Sequence, residues 1–252
     1  MSVVALFTDF TRRGPYVGQM HMAIARVAPH LRVVDLLHDV PAGDTEAGAI
    51  LLDAVAGSDR LPVGTVVVAV VDPGVGTDRR ALALEVSGRW YVGPDNGLLA
   101  LVAVPEAAYW FEVVWRPDRL SATFHGRDIF APVGARLAQG DRRVLRALSG
   151  AECPPAATPV DRHRVVYLDG FGNAWTGLRA CDLNANCSLA VGRNEPIPFA
   201  RTFADRAPGL PFWFENSSGL VEIAVNRGSA GARFGISVGS AVRVIGCGGR
   251  DA

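Results

Sequence analysis

An acid and an arginine seven residues apart, Asp72 and Arg79, flank a glycine turn in VVDPGVGTDRR, residues 70–80. A carboxylate facing a guanidinium can hold a polar group in a fixed direction, because the guanidinium donates in a rigid fork. The apolar, β-branched run Thr65–Val71 before Asp72 reads as a buried strand. Pro73 stops it, having no N–H to give a sheet and restricting the residue before it. Gly74 and Gly76 permit a turn other residues resist. The carboxyl end of such a strand is where open α/β sheets bind ligands. Nucleotide-loop readings fit poorly. A P-loop requires G-x-x-x-x-G-K-[ST], and the chain has no lysine; Gly74-x-Gly76 lacks the third glycine of a dinucleotide fingerprint, since Arg79 stands there.

Two further stretches could do chemistry. In TFHGRDIFAPVGARLAQG, residues 123–140, His125 precedes a helix expected from about Arg127 to Gln139, with Gly140 ending it. A helix start offers free N–H groups and a positive dipole end. His125 and Asp128 are three apart, but the further ligands a metal would need are not identifiable. DGFGNAWTG, residues 169–177, gathers an acid (Asp169), two aromatics (Phe171, Trp175) and an amide (Asn173). It reads either as a hairpin turn with buried aromatics or as a pocket that stacks a planar ring and hydrogen-bonds its edge.

The elements that must position these residues are legible in outline. Val3–Thr8 reads as a first strand ending at an acid, Asp9. A helix follows over residues 14–28, with Val17, Met20, Ile24, Val27 and Ala28 on one face. Arg32–Leu36 is a second strand. Asp44 caps a helix ended by Gly57, its apolar face including Ala47, Ile50, Leu51, Ala54 and Val55. After the Thr65–Val71 strand come a strand at Arg89–Val92, the GPDNG loop and a helical run to about Val104. Strands alternating with helices argue for a Rossmann-like α/β domain with a mainly parallel sheet, residues 1–152. AECPPAATP, residues 151–159, reads as a linker, with the boundary between domains set at 153–160. From 161 to 252 the expected strands Val165–Leu168, Leu189–Val191, Leu220–Val225 and Ala241–Ile245 are short and punctuated by Gly, Asn and Pro, so an all-β barrel or sandwich is expected.

Composition removes several classes of function. The 252 residues carry 25 basic and 25 acidic side chains, leaving no basic excess for nucleic acid or an anionic membrane. No apolar run reaches the roughly 20 residues of a membrane span. MSVVALFTDF lacks a basic leader region, so a cytoplasmic protein is expected. Cys153, Cys181, Cys187 and Cys247 form no C-x-x-C pair; zinc is not expected, Cys181 and Cys187 could lie close, and reduced thiols fit that compartment.

Taken in order, Thr8-Asp9-Phe10 with Tyr16-Val17-Gly18, VVDPGVGTDRR, VGPDNGLL, TFHGRD, DGFGNAWT and ENSSGLVEIAVN (Glu215–Asn226) resemble the S-adenosyl-L-methionine hydroxide adenosyltransferase family, relatives of the bacterial fluorinase and chlorinase. The resemblance spans nearly the whole chain. It implies a Rossmann-like domain, a C-terminal β-barrel, no metal or other cofactor, and a homotrimer whose active sites lie between subunits. The implied reaction is S-adenosyl-L-methionine plus water giving adenosine and methionine. The implied catalytic set is Asp72, Arg79 and His125. Asp9 matches the acid that holds the ribose hydroxyls. Asn173 and Phe203 match adenine contacts, and Asp169 and Ser217 contacts to the methionine end. Phe124, Phe171 and Trp175 lie in matched motifs and are expected to line the substrate.

In that chemistry the sulfonium makes C5′ electrophilic and methionine a neutral leaving group; the nucleophile is the difficulty, since bulk water has a pKa near 15.7. Arg79 and His125 are expected to orient a water in line with C5′, and Asp72 to orient Arg79 in preference to abstracting a proton. Positioning of this kind can supply roughly 7–11 kcal/mol in favourable intramolecular models. Two departures stand out: Thr11 replaces the glycine of a TDFG motif, and Gly14 stands where the family carries an acid. Gly177 also departs from the Thr-Asn pair that often follows the FGN motif, where this chain has Thr176-Gly177. The competing readings are a sensor of the sulfonium or of adenosine without turnover, and a halogenase, which Asp72 disfavours by repelling halide.

Overall fold

The structure is a computed structural model describing residues 2–103, 108–155 and 162–247. The chain divides into two compact units, Met1–Pro159 and Val160–Ala252. Residues 156–160 of the expected linker, and Val104 at the end of the expected helical run, lie outside the described residues.

In the first unit, β1 (Val3–Thr8), α1 (Tyr16–Val27), β2 (Arg32–Leu37), α2 (Thr45–Ala56) and β3 (Val66–Val70) alternate as the apolar periodicity predicts. The α2 start has the expected physical cause: the Asp44 carboxylate accepts the Ala47 N–H at 2.9 Å, and Gly57 closes the helix. β4 (Ala81–Val86), β5 (Arg89–Pro94), β6 (Ala108–Val113), α3 (Ala131–Ala138) and β7 (Leu145–Ala147) complete the unit. Its seven-stranded sheet has the order β2-β1-β3-β5-β4-β6-β7.

The sheet has the expected parallel core, extended by antiparallel strands into a mixed sheet. β2, β1, β3 and β5 pair in parallel; β4, β6 and β7 join by antiparallel pairing. The reason is local. Ser87 and Gly88 both take positive φ, and Val86 pairs with Arg89, so β4 and β5 form a two-residue hairpin with no crossover helix. The stretch after GPDNG, residues 98–103, folds as turns where a helix is expected. Helices cover both faces of the sheet. Met20, Ala23 and Ile24 of α1 pack with Val133, Ala135 and Leu137 of α3 on alternate residues of β1, β3 and β5. On the opposite face, Tyr91 of β5 donates its hydroxyl to the Ala56 carbonyl at the end of α2, 2.7 Å away.

The second unit contains β8 (Arg162–Leu168), β9 (Ala174–Arg179), β10 (Ser188–Val191), β11 (Ile197–Pro198), β12 (Pro211–Glu215), β13 (Leu220–Val225), the short α4 (Ala230–Phe234) and β14 (Val242–Ile245). These form two antiparallel sheets, β11-β10-β14 and β12-β13-β9-β8. Alternate residues Val221, Ile223 and Val225 of β13 enter the core with Trp213 and Val165. Gly177 of β9 has a steric reason: a Cβ there would stand 2.6 Å from Arg162 Cβ on the paired strand, so a side chain fits only if that strand moves.

The cysteines depart from expectation. Cys187 at the start of β10 is disulfide-bonded to Cys247 beyond β14, with Cα atoms 4.3 Å apart, while Cys153 and Cys181 are free. The antiparallel pairing of β10 with β14 brings Cys187 and Cys247 together across 60 residues of chain, which no local spacing reveals. No helix among the described residues is long and apolar enough to cross a membrane.

Candidate active site

The register of β1 on β3 pairs Thr8 with Val70, so Asp9 and Asp72 emerge together at one sheet edge. Asp9 Oδ2 accepts the Gly43 N–H at 2.9 Å, and the Asp9 N–H donates to the Val70 carbonyl at 3.3 Å. Burial lifts the Asp9 carboxyl above its ordinary value. The Gly43 and Asp9 N–H groups oppose the rise, and the nearby charge of Asp72 adds to it. The GPDNG loop is tied to the same edge. Asn96 Nδ2 donates to the Val71 carbonyl at 2.8 Å, and Arg80 Nε to Asp95 Oδ2 at 2.7 Å.

Asp72, Arg79 and His125 come together as a line. Arg79 grips the Asp72 carboxylate with two donors, Nε to Oδ1 at 2.8 Å and Nη2 to Oδ2. The same Nη2 reaches His125 Nδ1 at 3.0 Å. Both charged side chains are nearly buried, Arg79 at 10% and Asp72 at 5% exposure. The guanidinium lies over the Phe130 ring, 5.3 Å from its centroid. Arginine can only donate, so His125 Nδ1 is the acceptor and the ring proton sits on Nε2. Burial, followed by the charge of Arg79, pushes the His125 pKa below its ordinary value; Arg116 acts in the same direction, and Asp72 and Asp128 oppose it. The imidazole is therefore neutral near pH 7, with one N–H left to donate. This cluster is organised to orient a polar oxygen. Nδ1 of His125 and one acceptor site on each Asp72 oxygen are committed to Arg79, which leaves the Nε2–H of His125 free to donate.

The helix start at His125 differs from expectation in an informative way. Gly126–Phe130 is one π-helical turn, and α-helix proper begins only at Ala131. The wide turn lets His125 and Phe130 both meet Arg79, and such turns concentrate at functional sites. Phe124, expected to line substrate, packs edge-on against Phe10 and Tyr16 at 5.5 and 5.3 Å. Gly126 is needed beneath them, since a Cβ would stand 3.1 Å from the Phe10 ring.

Residues the sequence reading missed hold the first loop. Thr8 Oγ1 accepts the Phe10 N–H at 3.2 Å and shares a hydrogen bond with His38 Nδ1 at 2.8 Å. His38 Nε2 lies 3.1 Å from Asp35 Oδ1, which also meets His21 Nε2 at 2.8 Å. Burial would raise the Asp35 carboxyl, but hydrogen bonds from His38 and His21 hold it below the usual range. The loop itself explains its own departure: Thr11 has φ +56, the left-handed conformation a glycine adopts freely. The chain thus keeps the glycine backbone with a β-branched residue in it. Thr11→Gly is expected to raise stability by about 1 kcal/mol, the relief of left-handed strain exceeding the entropy glycine adds to the unfolded chain. Urea denaturation of the two proteins measures it, and a loss of stability would count against the strain.

In the second unit a cavity of about 790 Å³ is lined by Asp169, Phe171, Asn173, Phe203 and Ser217, five of the expected site residues. Asp169 builds the loop at its rim, its Oδ1 accepting the N–H groups of Phe171 and Asn173, each at 2.9 Å. Gly172, at φ +81, makes the turn where a Cβ would collide with Ser229. Phe171 projects outward, 82% exposed, and Phe203 stands edge-on to Phe212, 4.9 Å away. Trp175 does not line the cavity; its ring packs edge-on against Tyr167 at 5.8 Å. Phe214, Asn216 and Glu222 also line it and were missed. The signal for Glu222 was present: it is the one acid inside the apolar run LVEIAV. Among the described residues, no group of three or more His, Cys, Asp or Glu is placed to hold a metal ion.

The first unit is α/β with an Asp–Arg–His line at its sheet edge, and the second is mostly β with an aromatic and amide cavity. The chain belongs to the SAM hydroxide adenosyltransferase family: the model of that family's N-terminal domain matches residues 4–145 and that of its C-terminal domain residues 163–243. It is 39% identical to an (R)-S-adenosyl-L-methionine hydrolase of Thermus thermophilus, over 97% of this chain and 100% of the relative. A relative of the same name from Salinispora arenicola is 40% identical, over 96% of this chain and 97% of the relative. A fluorinase from Actinopolyspora mzabensis is more distant, 27% identical over 96% of each chain. Among solved structures, an uncharacterized conserved protein from Thermotoga maritima superposes with a TM-score of 0.83 at 29% identity, covering 96% of this chain and 100% of that one.

Proposed function

We propose that this chain hydrolyses S-adenosyl-L-methionine to adenosine and L-methionine. The observation that carries the reading is the Asp72–Arg79–His125 line at the sheet edge beside Asp9. A water oxygen attacks ribose C5′, the C–S bond breaks with its electron pair leaving on the methionine sulfur, and one proton of the attacking water passes to solvent. Arg79, fixed by Asp72, and the Nε2–H of His125 direct that oxygen; Asp9 holds the ribose hydroxyls. Asn173 and Phe203 receive the adenine, with Phe124 and Phe171 as flanking aromatics, and Asp169 and Ser217 receive the methionine end; Trp175, packed on Tyr167, acts behind the cavity wall. The reaction needs no cofactor. The names of the relatives point to the (R) form of the sulfonium as the preferred substrate.

The two sheets of the second unit close into a barrel in this reading. Single bridges support it: Arg164 of β8 with Ala241 beside β14, and Phe199 beside β11 with Trp213 of β12. The assembly is a cytoplasmic homotrimer in which the first unit of one subunit and the second unit of its neighbour share each site.

One experiment tests activity and sharing together. Purified protein is incubated with the separated sulfonium epimers, with and without chloride, and products are resolved by chromatography. Adenosine and methionine forming independently of chloride support the hydrolase. A 5′-chloro product would make it a halogenase, and binding without product a sensor. Asp72→Asn and Asn173→Ala proteins, each inactive alone, are then unfolded together and refolded as a mixture. Sites shared between subunits restore roughly a quarter of wild-type activity, because one neighbour pairing in four joins two intact halves. No recovery would place each site within one subunit.

A further inference from the structure

Glu222 is a carboxylate that the proposed reaction leaves unused, yet it is among the most buried polar side chains of the chain, 5% exposed, in a cavity wall. It sits on β13 facing Phe214 on one neighbouring strand and Trp175 on the other. Burial pushes its carboxyl up to about 7; the hydrogen bond from Asn216 opposes this, the charge of Asp169 adds to it, and a weaker hydrogen bond from Asn173 opposes it again. A buried acid held between two amides is costly, so its place needs a reason.

The amides supply one. Asn216 cannot turn: its Oδ1 accepts the N–H groups of Ser218 and Leu220 at 2.9 and 3.0 Å, so its Nδ2 must face Glu222, at 3.1 Å from Oε2. Asn173 Nδ2 donates to Asp169 Oδ2 at 3.2 Å, and its carboxamide shares the cavity wall with Glu222, whose carboxyl it helps hold down. When Glu222 is ionised, two carboxylates, both acceptors, flank the same NH2 group of Asn173. The carbonyl oxygen of Asn173 is the end left for a ligand in the cavity.

We infer that Glu222 is a positioning residue for base selection: with Asp169 it locks the Asn173 carboxamide so that an acceptor faces the ligand, specifying a purine with an exocyclic amino group over its 6-oxo counterpart. This rests on the proposed placement of adenine at Asn173. An amino group donates to the Asn173 oxygen. A 6-oxo group sets two acceptors face to face and leaves both unpaired, which disfavours it by about 10–100-fold.

The test is calorimetric titration of the full-length protein with adenosine and with inosine, which needs no turnover. Wild type is expected to bind adenosine about 10–100-fold more tightly than inosine. Glu222→Gln keeps shape but not symmetry. The fixed Asn216 NH2 takes the single glutamine oxygen, leaving the glutamine NH2 towards Asn173 and pulling its oxygen away from the ligand. The adenosine-to-inosine ratio is then expected to fall at least about fivefold. Thermal melting confirms that the variant is folded, a readout separate from the ratio. An unchanged ratio in folded Glu222→Gln overturns the inference and leaves the proposed function standing. Equal binding of both nucleosides by wild type also overturns it. Wild type binding neither nucleoside overturns both.

Discussion

Arg79→Lys is expected to lower kcat by about 10³-fold while leaving KM within a few-fold of wild type. Lysine keeps the charge, so the comparison isolates geometry. Arg79 makes four directed contacts from one rigid plane: two to Asp72, one to His125 Nδ1 and one to the Arg80 carbonyl. An ammonium on a flexible stem cannot span these partners with fixed angles. Asp72 stays paired with a cation, so the large penalty of a lone buried charge is avoided. His125 loses its Nδ1 donor, and with it the restriction of its proton to Nε2. The ligand contacts proposed at Asp9, Asn173 and Ser217 are untouched, which is why the loss belongs in kcat. Steady-state kinetics by product chromatography decides it. A kcat within threefold of wild type would remove the Asp72–Arg79–His125 line from the mechanism.

Gly76→Ala is the second large effect, on stability and turnover together. Gly76 takes φ +84, where an L side chain is strained, and its Cβ would stand 2.6 Å from the Ala122 carbonyl oxygen. That oxygen belongs to backbone, so it yields only if the segment moves. The segment leads directly to Phe124 and His125, and the turn leads to Arg79. Relieving the clash therefore pulls the two ends of the 3.0 Å Arg79–His125 contact apart. A cost of about 2–3 kcal/mol is expected, lowering Tm by about 5–10 °C, with kcat falling at least tenfold. Gly74→Ala is the control. Its φ is not in the left-handed range, and the nearest atom to a Cβ there is Thr77 Oγ1 at 3.6 Å, an ordinary contact. It is expected to stay within about 0.5 kcal/mol of wild type. Similar melting of the two variants would refute the close-approach argument.

Much of the first unit is readable in local pattern. Asp44 before an apolar 3.6-residue period, and Gly57 after it, mark α2 because a cap and a stop act over one turn of chain. The runs that became β1 and β3 end at acids, and parallel pairing in register turns that local fact into a shared edge carrying Asp9 and Asp72. β4 was missed because ALALEV reads equally as a buried helix segment or a strand. The hairpin that makes it antiparallel depends on positive φ at Ser87, which a serine does not advertise. Residues 98–103 carry a helical composition but fold as turns, since GPDNG is held down by the Asn96–Val71 contact.

The sequence by itself determined the chemistry available: which residue types stand at strand ends, beside a helix start and in the DGFGNAW turn, and hence the family. Tertiary structure alone decided how those groups are spent. Arg79 Nη2 fixes the His125 proton on Nε2 across 46 residues of chain. Antiparallel β10 and β14 join Cys187 to Cys247 where reduced thiols were expected. Glu222, an odd acid in an apolar strand, gains meaning only when Asn173 and Asn216 meet it. The reason is physical: backbone propensity and capping act within one or two turns of chain, whereas hydrogen-bond direction, burial and shifted protonation depend on groups brought together from distant segments.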